Sequence, residues 1–248
     1  VAWNWLAANG TASNGDGSIT STVSANTTAG FSIVSYTGTG SSTTVGHGLG
    51  VAPSMLIFKN RDSTDSWNVQ HDGLTSYDYY VRLNSTGAQN NDIDVGNSAP
   101  TSTVVSVGSH AQQNGSGNDM ILYAFAEKKG YSKISSYTGN GNADGPFVYT
   151  GFKPAWIMLK KSNASGTSWI LFDNKRATHN PTYNRLHAEL SDAEYTTAYG
   201  LDMLSNGFKL ITSDSSFNNS GDTYIYLAFA EHPFVGNDSG TAVPVVAR

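Results

Sequence analysis

The chain has 248 residues, a formal net charge of −5 and charged side chains at only 13% of its positions. It has no run of Lys and Arg and no cysteine, which argues against nucleic acid as a partner and excludes disulfides and thiolate metal sites. No apolar run approaches the roughly 18–20 residues of a membrane-spanning helix, so membrane insertion is not expected. The hydrophobic fraction is 38%, and Gly, Ser, Thr and Asn are abundant, which predicts an all-β fold of short strands and polar turns.

The first predicted element is VAWNW, residues 1–5, in which aromatic and small residues alternate as they do in two later strands. We interpret it as a partial N-terminal strand, the last strand of a preceding module. The stretch up to residue 29 is rich in Asn, Gly, Ser and Thr and poor in apolar residues, which is typical of linkers. Residues 1–29 are therefore predicted to be an end strand followed by a Ser/Thr/Gly linker.

From residue 30 onward the same short sequence motifs occur twice in the same order. GFSIVSYTG begins at Gly30 and GYSKISSYTG begins at Gly130, 100 residues later. APSMLIFK and KPAWIMLK are 101 residues apart, and NDMILYAFAE and DTYIYLAFAE are 104 residues apart. We therefore predict two tandem β-sandwich repeats, residues 30–127 and 128–234, followed by a C-terminal tail of residues 235–248.

Each repeat is predicted to contain about six or seven strands at hairpin spacing. Pro53 and Pro154 precede continuous apolar runs of strand length, where a proline costs no important ladder hydrogen bond. The dipeptide at residues 206–207, Asn-Gly, predicts a tight hairpin turn. Residues 185–200 are expected to be a loop insertion of the second repeat and the one place with a helical turn or two.

In the order of these motifs, the chain resembles a family of tandem β-sandwich modules in bacteriophage virion proteins. Members of this family are tail-fibre-like or lectin-like and are biochemically uncharacterised. The resemblance rests on GFSIVSYTG, VGHGLGVAPSMLIFKNRD, LSNGFKLIT and TYIYLAFAEHPF, and it spans about residues 30–234. It implies jelly-roll or lectin-like sandwiches, an extracellular location on the virion, and other virion proteins as partners. It also implies a homo-oligomer, and it supplies no catalytic residues.

Motifs for catalysis or metal binding are not evident in the sequence. None of the six histidines lies in a Ser-His-Asp context, and there is no G-x-S-x-G or H-E-x-x-H motif, so we predict a protein that is not an enzyme and needs no cofactor. Calcium is the alternative, because loop oxygens are enough to bind it. The candidate carboxylates are those of Asp62, Asp65, Asp92, Asp94 and Asp222. Their simpler role is to hydrogen-bond within their own turns.

A carbohydrate site needs a flat aromatic ring beside side chains that hydrogen-bond to hydroxyl groups. Both repeats contain a tryptophan followed by polar residues, and three tyrosines follow the first of these sets. The predicted ligand-binding residues are Trp67, His71, Asp72, Tyr77, Tyr79, Tyr80, Trp169 and Asp173. The alternative is that both tryptophans fill the core. We expect the recognition surface on residues 72–80, 89–94 and 185–200, where the repeats differ most.

The sequence therefore favours a non-enzymatic virion protein, a distal tail-fibre or appendage module that binds host cell-surface carbohydrate. Weak sites become effective when an assembly displays many copies of them. The alternative is a capsid or tail decoration or assembly protein that binds only other virion proteins. A polysaccharide depolymerase is the third reading.

Overall fold

The computed structural model describes residues 2–197 and 199–231. Val1, Ala198 and residues 232–248, which include the predicted C-terminal tail, lie outside the described residues. The prediction of an all-β fold is confirmed, because strands dominate the described chain and its helices are single turns.

The described residues form two compact units. The N-terminal unit contains Ala2–Asn84 and Gln89–Glu127, and the C-terminal unit contains Ser85–Ala88 and residues 128–231. The elements of the N-terminal unit are β1 (Ala12–Asn14), β2 (Ser21–Asn26), β3 (Phe31–Thr37), β4 (Thr43–Gly46), β5 (Met55–Asn60), β6 (Asn68–His71), β7 (Tyr79–Arg82), β8 (Asn90–Asn91), β9 (Val104–Val107), α1 (Ala111–Asn114) and β10 (Asp119–Phe125). The elements of the C-terminal unit are β11 (Ser132–Thr138), β12 (Phe147–Tyr149), β13 (Pro154–Lys161), β14 (Ile170–Asp173), β15 (Arg185–His187), β16 (Leu201–Leu204), β17 (Gly207–Leu210), α2 (Ser215–Asn218) and β18 (Thr223–Ala230).

The N-terminal unit has the arrangement of a β-sandwich. Its larger sheet has eight strands in the order β1-β2-β3-β10-β5-β6-β7-β8, and its smaller sheet pairs β4 with β9. Val34, Phe58 and Leu122 of the larger sheet belong to one buried cluster with Val45 and Val105 of the smaller sheet. The two sheets therefore share one core.

The C-terminal unit is built in a similar way. Its larger sheet has the order β11-β18-β13-β14-β15, and its smaller sheet has the order β12-β17-β16. Ile157, Phe172 and Tyr226 of the larger sheet cluster with Phe208 and Leu210 of the smaller sheet.

The motif AFAE, at residues 124–127 and 228–231, lies at the ends of two interior strands, β10 and β18, of the larger sheets. Strand β10 is hydrogen-bonded to β3 and β5, and β18 is hydrogen-bonded to β11 and β13. A strand with neighbours on both sides and a core on one face has little contact with water, which explains the nearly continuous apolar sequence of β18.

A buried tyrosine and a buried asparagine close the N-terminal sandwich near α1. The Tyr36 hydroxyl donates to the carbonyl oxygen of Gln113, and burial raises the pKa of Tyr36 far above its usual value, which keeps the proton on this donor. The Asn114 Nδ2 donates to the Gly108 carbonyl at 2.8 Å, and its Oδ1 accepts from the Thr39 backbone N–H at 2.7 Å. These bonds connect the end of α1 to two loops through one side chain.

A corresponding pair lies near α2 in the C-terminal unit. The Tyr137 hydroxyl donates to the Phe217 carbonyl at 2.7 Å, and burial raises the pKa of Tyr137 well above its usual value. The Asn218 Nδ2 donates to the Thr212 carbonyl at 2.6 Å, and its Oδ1 accepts from the Asn140 backbone N–H at 2.8 Å.

The prediction for residues 1–29 needs correction. Residues 2–8 contain no strand, so the predicted end strand is wrong for its described part, although Trp3 and Trp5 are half-buried and Trp5 packs edge-on against Phe125 at 6.3 Å. The predicted linker contains β1 and β2, which extend the larger sheet. Ile19 and Val23 explain this outcome, because both are buried in the core although the surrounding sequence is polar.

The expected helical turn in residues 185–200 is also absent from the described part of that segment. It begins with β15, an edge strand that pairs with β14. The Arg185 guanidinium donates to the carbonyl oxygen of Tyr199 at 3.2 Å and to the Thr197 hydroxyl at 2.9 Å, which holds the following loop. The helical turns are α1 and α2, and the Asp214 carboxylate caps α2 by accepting from the backbone N–H of Ser216 at 2.8 Å.

Lys160 is a buried lysine near the end of β13. It lies in β13 with 0% of its surface exposed, and its Nζ donates to the Lys161 carbonyl at 2.9 Å. Burial lowers the pKa of Lys160 to about 8, the Glu189 carboxylate opposes that shift, and the charge of Lys161 adds to it. The charged form of Lys160 is therefore disfavoured in the folded chain.

We expect Lys160 to make stability depend on pH. Between pH 8 and the unfolded lysine pKa of 10.5 the unfolded chain binds more protons, so the contribution of this group to the free energy of unfolding should rise with pH, by roughly 1–3 kcal/mol. Below pH 8 its destabilising effect is fully present. Lys160→Met should therefore be more stable than the unmodified chain at pH 7.5, and this advantage should shrink by pH 10.

Urea denaturation of both proteins at several pH values measures this difference, and tyrosine ionisation cancels because it is common to both. Lys129→Met, at an exposed position, is the control and should show no pH-dependent difference. A Lys160→Met protein that is less stable at pH 7.5 would contradict the expectation.

Candidate functional site

The structure joins two of the loops in which recognition was predicted. We call residues 72–78 and 89–94 the loop site. The Asn91 Nδ2 donates to the Asp78 carboxylate at 2.7 Å, and the Asp92 backbone N–H donates to the Asp78 carbonyl at 3.0 Å. The Gln89 Nε2 donates to the Thr75 hydroxyl at 2.9 Å. Side chains of each loop therefore fix the conformation of the other.

Tyr77 and Asp72 form a second contact within the loop site. The Tyr77 hydroxyl donates to the exposed Asp72 carboxylate. Burial and this carboxylate together raise the pKa of Tyr77 far above its usual value, so the phenol keeps its proton. Below it, the Nε2 of buried Gln70 donates to the carbonyl oxygens of Tyr77 and Gly96. The ring of Tyr77 is half-buried and its position is fixed.

The loop site is anionic at neutral pH. Hydrogen bonds from Ser76 and Asn91 lower the pKa of Asp78, so its carboxylate stays charged. Ile93 lies near the end of the second loop with 79% of its surface exposed. The site therefore offers carboxylate acceptors, amide groups, a half-buried phenol ring and one exposed aliphatic side chain.

A Ser and a His contact two Asp residues of the loop site, but the four do not form a catalytic triad. The His110 Nε2 lies 3.4 Å from the Asp92 carboxylate, and its Nδ1 accepts from the Gln112 backbone N–H at 3.2 Å. The Ser109 hydroxyl donates to the Asp94 carboxylate at 2.9 Å. The imidazole caps α1, and the hydroxyl and the imidazole have different partners, so these bonds do not link a nucleophile to a base.

Four of the predicted ligand-binding residues are too buried to bind a ligand, so the prediction is wrong for them. His71 and Tyr80 are buried in β6 and β7, the first with its Nδ1 accepting from the Gly73 backbone N–H at 2.9 Å. Trp169 and Asp173 have 1% of their surface exposed. With at most 4% of their surface exposed, none of these four side chains is accessible to a ligand in solution.

Asp173 has a structural role at the end of β14. Its carboxylate accepts from the backbone N–H groups of Lys175 and Arg176, each at 2.9 Å, and pairs with the Arg176 Nε at 2.5 Å. The Arg176 guanidinium reaches Glu194 at 2.8 Å. Arg176 therefore connects the turn after β14 to the loop that follows β15.

Trp67 and Tyr79 have intermediate positions. The Trp67 ring is half-buried and stacks on Tyr123 at 6.3 Å with an interplanar angle of 24°. Tyr79 is half-buried in β7 opposite Asn91 of β8. Of the eight predicted residues, Asp72, Tyr77 and Tyr79 therefore lie in or beside the loop site with part of their surface accessible.

The most accessible aromatic pair in the described strands was not among the residues predicted from the sequence. Phe147 and Tyr149 on β12 have 45% and 64% of their surface exposed, whereas Val148 between them is buried. The alternation Phe-Val-Tyr is the period-two signal of a strand with one face in the core. Once this segment is recognised as a strand, the alternation identifies Phe147 and Tyr149 as the residues whose rings face outward.

The described residues contain no group of three His, Asp or Glu side chains that could hold a metal ion. Two of the carboxylates considered for calcium have partners that lie far away in the sequence. Asp62 accepts from the Asp119 backbone N–H at 2.6 Å, and Asp222 pairs with Lys161 at 3.0 Å. In the same part of the chain, no helix is long and apolar enough to cross a membrane.

Comparison with known proteins identifies a family without an assigned activity. Neither a curated protein nor a solved structure matches this sequence. A family model described as "Domain of unknown function (DUF7483)" matches residues 1–233, nearly the whole chain. The chain therefore belongs to the DUF7483 family.

Proposed function

We propose that this protein is a non-enzymatic bacteriophage virion structural protein, a distal tail-fibre or appendage module that binds carbohydrate on the host cell surface. The motif order described above supports the virion assignment. In this proposal the protein acts outside the cell on the virion, with other virion proteins and further copies of itself as partners.

We also propose that the two units are tandem β-sandwich repeats. Three features support this. Strand β10 lies between β3 and β5, and β18 lies between β11 and β13, which have the corresponding places in the sequence. Tyr36 and Tyr137 both donate to the third residue of a single-turn helix. Asn114 and Asn218, the fourth residues of those helices, both bridge loops from buried positions. Two copies of one scaffold would leave the loops free to differ.

The observation that carries the carbohydrate proposal is the joining of residues 72–78 and 89–94 by their own polar side chains. Sugar hydroxyl groups both donate and accept, so they pair well with the Asp72 and Asp78 carboxylates and the Asn91 amide. Charged acceptors make the stronger hydrogen bonds. The half-buried Tyr77 ring adds an apolar edge, and the fixed loops lower the entropy that binding would cost.

Asp72→Ala tests this proposal. It removes an exposed carboxylate and the partner of the Tyr77 hydroxyl, so we expect binding to a host polysaccharide to weaken by about tenfold or more. The thermal midpoint should change little, because Asp72 is exposed. Glycan-array binding and calorimetry on the full chain measure the effect.

Asp16→Ala, at another exposed acid of the same unit, is the control and should bind like the unmodified chain. Unchanged glycan binding by Asp72→Ala would remove the loop site from the proposal. Absence of any glycan binding, with retained binding to virion proteins, would favour the decoration or assembly role. Release of reducing ends from the polysaccharide would show a depolymerase.

A further inference from the structure

Strand β12 forms one edge of the smaller sheet in the C-terminal unit. Its neighbour in the described chain is β17, with Phe147 opposite Lys209, Val148 opposite Phe208 and Tyr149 opposite Gly207. Phe147 and Tyr149 are exposed while Val148 is buried. The strand therefore has an apolar outer face and a free side.

The hydrogen bonds to β17 show which backbone groups lie on the free side. The Thr150 N–H donates to the Asn206 carbonyl at 3.0 Å, and the Pro146 carbonyl accepts from Leu210 at 3.1 Å. Antiparallel ladder bonds use every second residue, so Val148 bonds to β17 and the N–H and C=O groups of Phe147 and Tyr149 point away from it. Such an edge is a template for a further strand.

The equivalent edge in the N-terminal unit is covered by the chain itself. Strand β4 pairs with β9 on one side, and on the other side Ile19 forms a parallel bridge to Val45. The Ile19 N–H donates to the Thr44 carbonyl at 3.0 Å, and the Ser21 hydroxyl donates to the Gly46 carbonyl at 2.8 Å. Thr44 and Gly46 correspond to Phe147 and Tyr149, because Val45 and Val148 are the inward residues of the two strands.

The covering segment is short, extended and made of small residues around one aliphatic side chain. Residues 17–21 read Gly-Ser-Ile-Thr-Ser, and the backbone at Gly17 comes so close to β4 that a Cβ there would lie 2.6 Å from the Thr44 carbonyl oxygen. Ile19 is buried in the core cluster. No described segment of the C-terminal unit covers β12 in this way.

We propose that the free edge of β12 binds an extended strand of another polypeptide, of the chemistry of residues 17–21: small hydroxyl-bearing residues around one β-branched aliphatic side chain. The incoming strand forms hydrogen bonds to the outward N–H and C=O groups of Phe147 and Tyr149. The two aromatic rings pack against this strand and offer it more apolar surface than Thr44 and Gly46 offer at the equivalent edge of β4. This is strand addition to a sheet edge, in which backbone bonds supply affinity and side chains supply selectivity. The inference rests on the proposed correspondence of the two sandwiches and is independent of carbohydrate binding.

The test is titration of a labelled synthetic peptide, residues 14–26 (NGDGSITSTVSAN), into the full chain, followed by fluorescence polarisation. We expect saturable binding and shifts of the backbone amide signals of residues 147 and 149 in nitrogen-edited NMR spectra. The same peptide with Asp in place of Ile19 should bind at least about tenfold more weakly, because a charge replaces the buried aliphatic group.

Tyr149→Pro removes one outward N–H without removing a bond to β17, which makes it tolerable at an edge. It should weaken peptide binding by about tenfold while the thermal midpoint stays within a few degrees. Tyr149→Ala, which keeps the N–H and removes the ring, covers the case in which the proline variant does not fold, and it should also weaken binding.

Asp72→Ala should bind the peptide normally, so failure of the carbohydrate proposal would not affect this result. Two outcomes would overturn the inference: no saturable peptide binding, or peptide binding that both Tyr149 variants leave unchanged. If no peptide binds and Tyr149→Ala loses glycan binding, β12 is a carbohydrate surface instead.

Discussion

Asn218→Ala should lower the free energy of unfolding of the C-terminal unit by about 3 kcal/mol or more. The Asn218 side chain is fully buried and donates to the Thr212 and Asn142 carbonyls, while its Oδ1 accepts from Asn140. Alanine leaves these groups without their partner, and each unsatisfied buried group costs about 1–3 kcal/mol. Asn114→Ala should act similarly on the N-terminal unit, because its side chain has the same arrangement of partners.

Urea denaturation followed by tryptophan fluorescence and circular dichroism measures both changes. Asn219→Ala is the matched control, because Asn219 is the next residue but is exposed, and its amide donates to the Asp222 carboxylate. It should cost less than about 1 kcal/mol. Equal losses for Asn218→Ala and Asn219→Ala would show that the buried amide does not organise the loops.

The strands could be predicted from the sequence where local apolar pattern determines them. The apolar segments that precede Lys59 and Lys160 form β5 and β13. The segments that end in AFAE form the interior strands β10 and β18. A continuous apolar run must be covered on both faces wherever it lies, so its identity as a strand depends little on distant residues.

The N-terminal strands could not be predicted in this way. In β1 and β2, polar residues surround Val23, and Ile19 stands alone between them. Two isolated aliphatic residues do not show the alternation of apolar and polar residues that is typical of a strand. Their burial depends on the edges of β3 and β4, which only the folded sandwich brings within reach.

The candidate site was predictable as a pair of loops but not in its details. Tyr77, Tyr79 and Tyr80 look alike in sequence, yet Tyr80 is buried in β7 whereas Tyr77 and Tyr79 are half-buried. The bond between Asp78 and Asn91 joins two loops through space, and no local signal encodes it. The carboxylates that remain accessible are therefore a result of tertiary structure.

Trp169→Ala should be among the most damaging single changes in the chain. Trp169 has 1% of its surface exposed and is among the largest fully buried side chains in the described residues. Its backbone N–H also donates to the Glu189 carboxylate at 3.1 Å, which places it against the loop after β15. Truncation of a buried tryptophan removes its transfer free energy and leaves a cavity, so we expect a loss of about 3–5 kcal/mol.

Trp67→Ala is the matched comparison, because Trp67 occupies the corresponding place in the sequence but is half-buried against Tyr123. Part of its ring is already in water, so its loss should be smaller, at about 1–2 kcal/mol. Equilibrium unfolding of the two variants in urea, followed by circular dichroism, measures the difference. Nearly equal losses would mean that exposure does not separate the two tryptophans energetically. A Trp169→Ala protein of unchanged stability with lost glycan binding would return Trp169 to the ligand site from which its burial now excludes it.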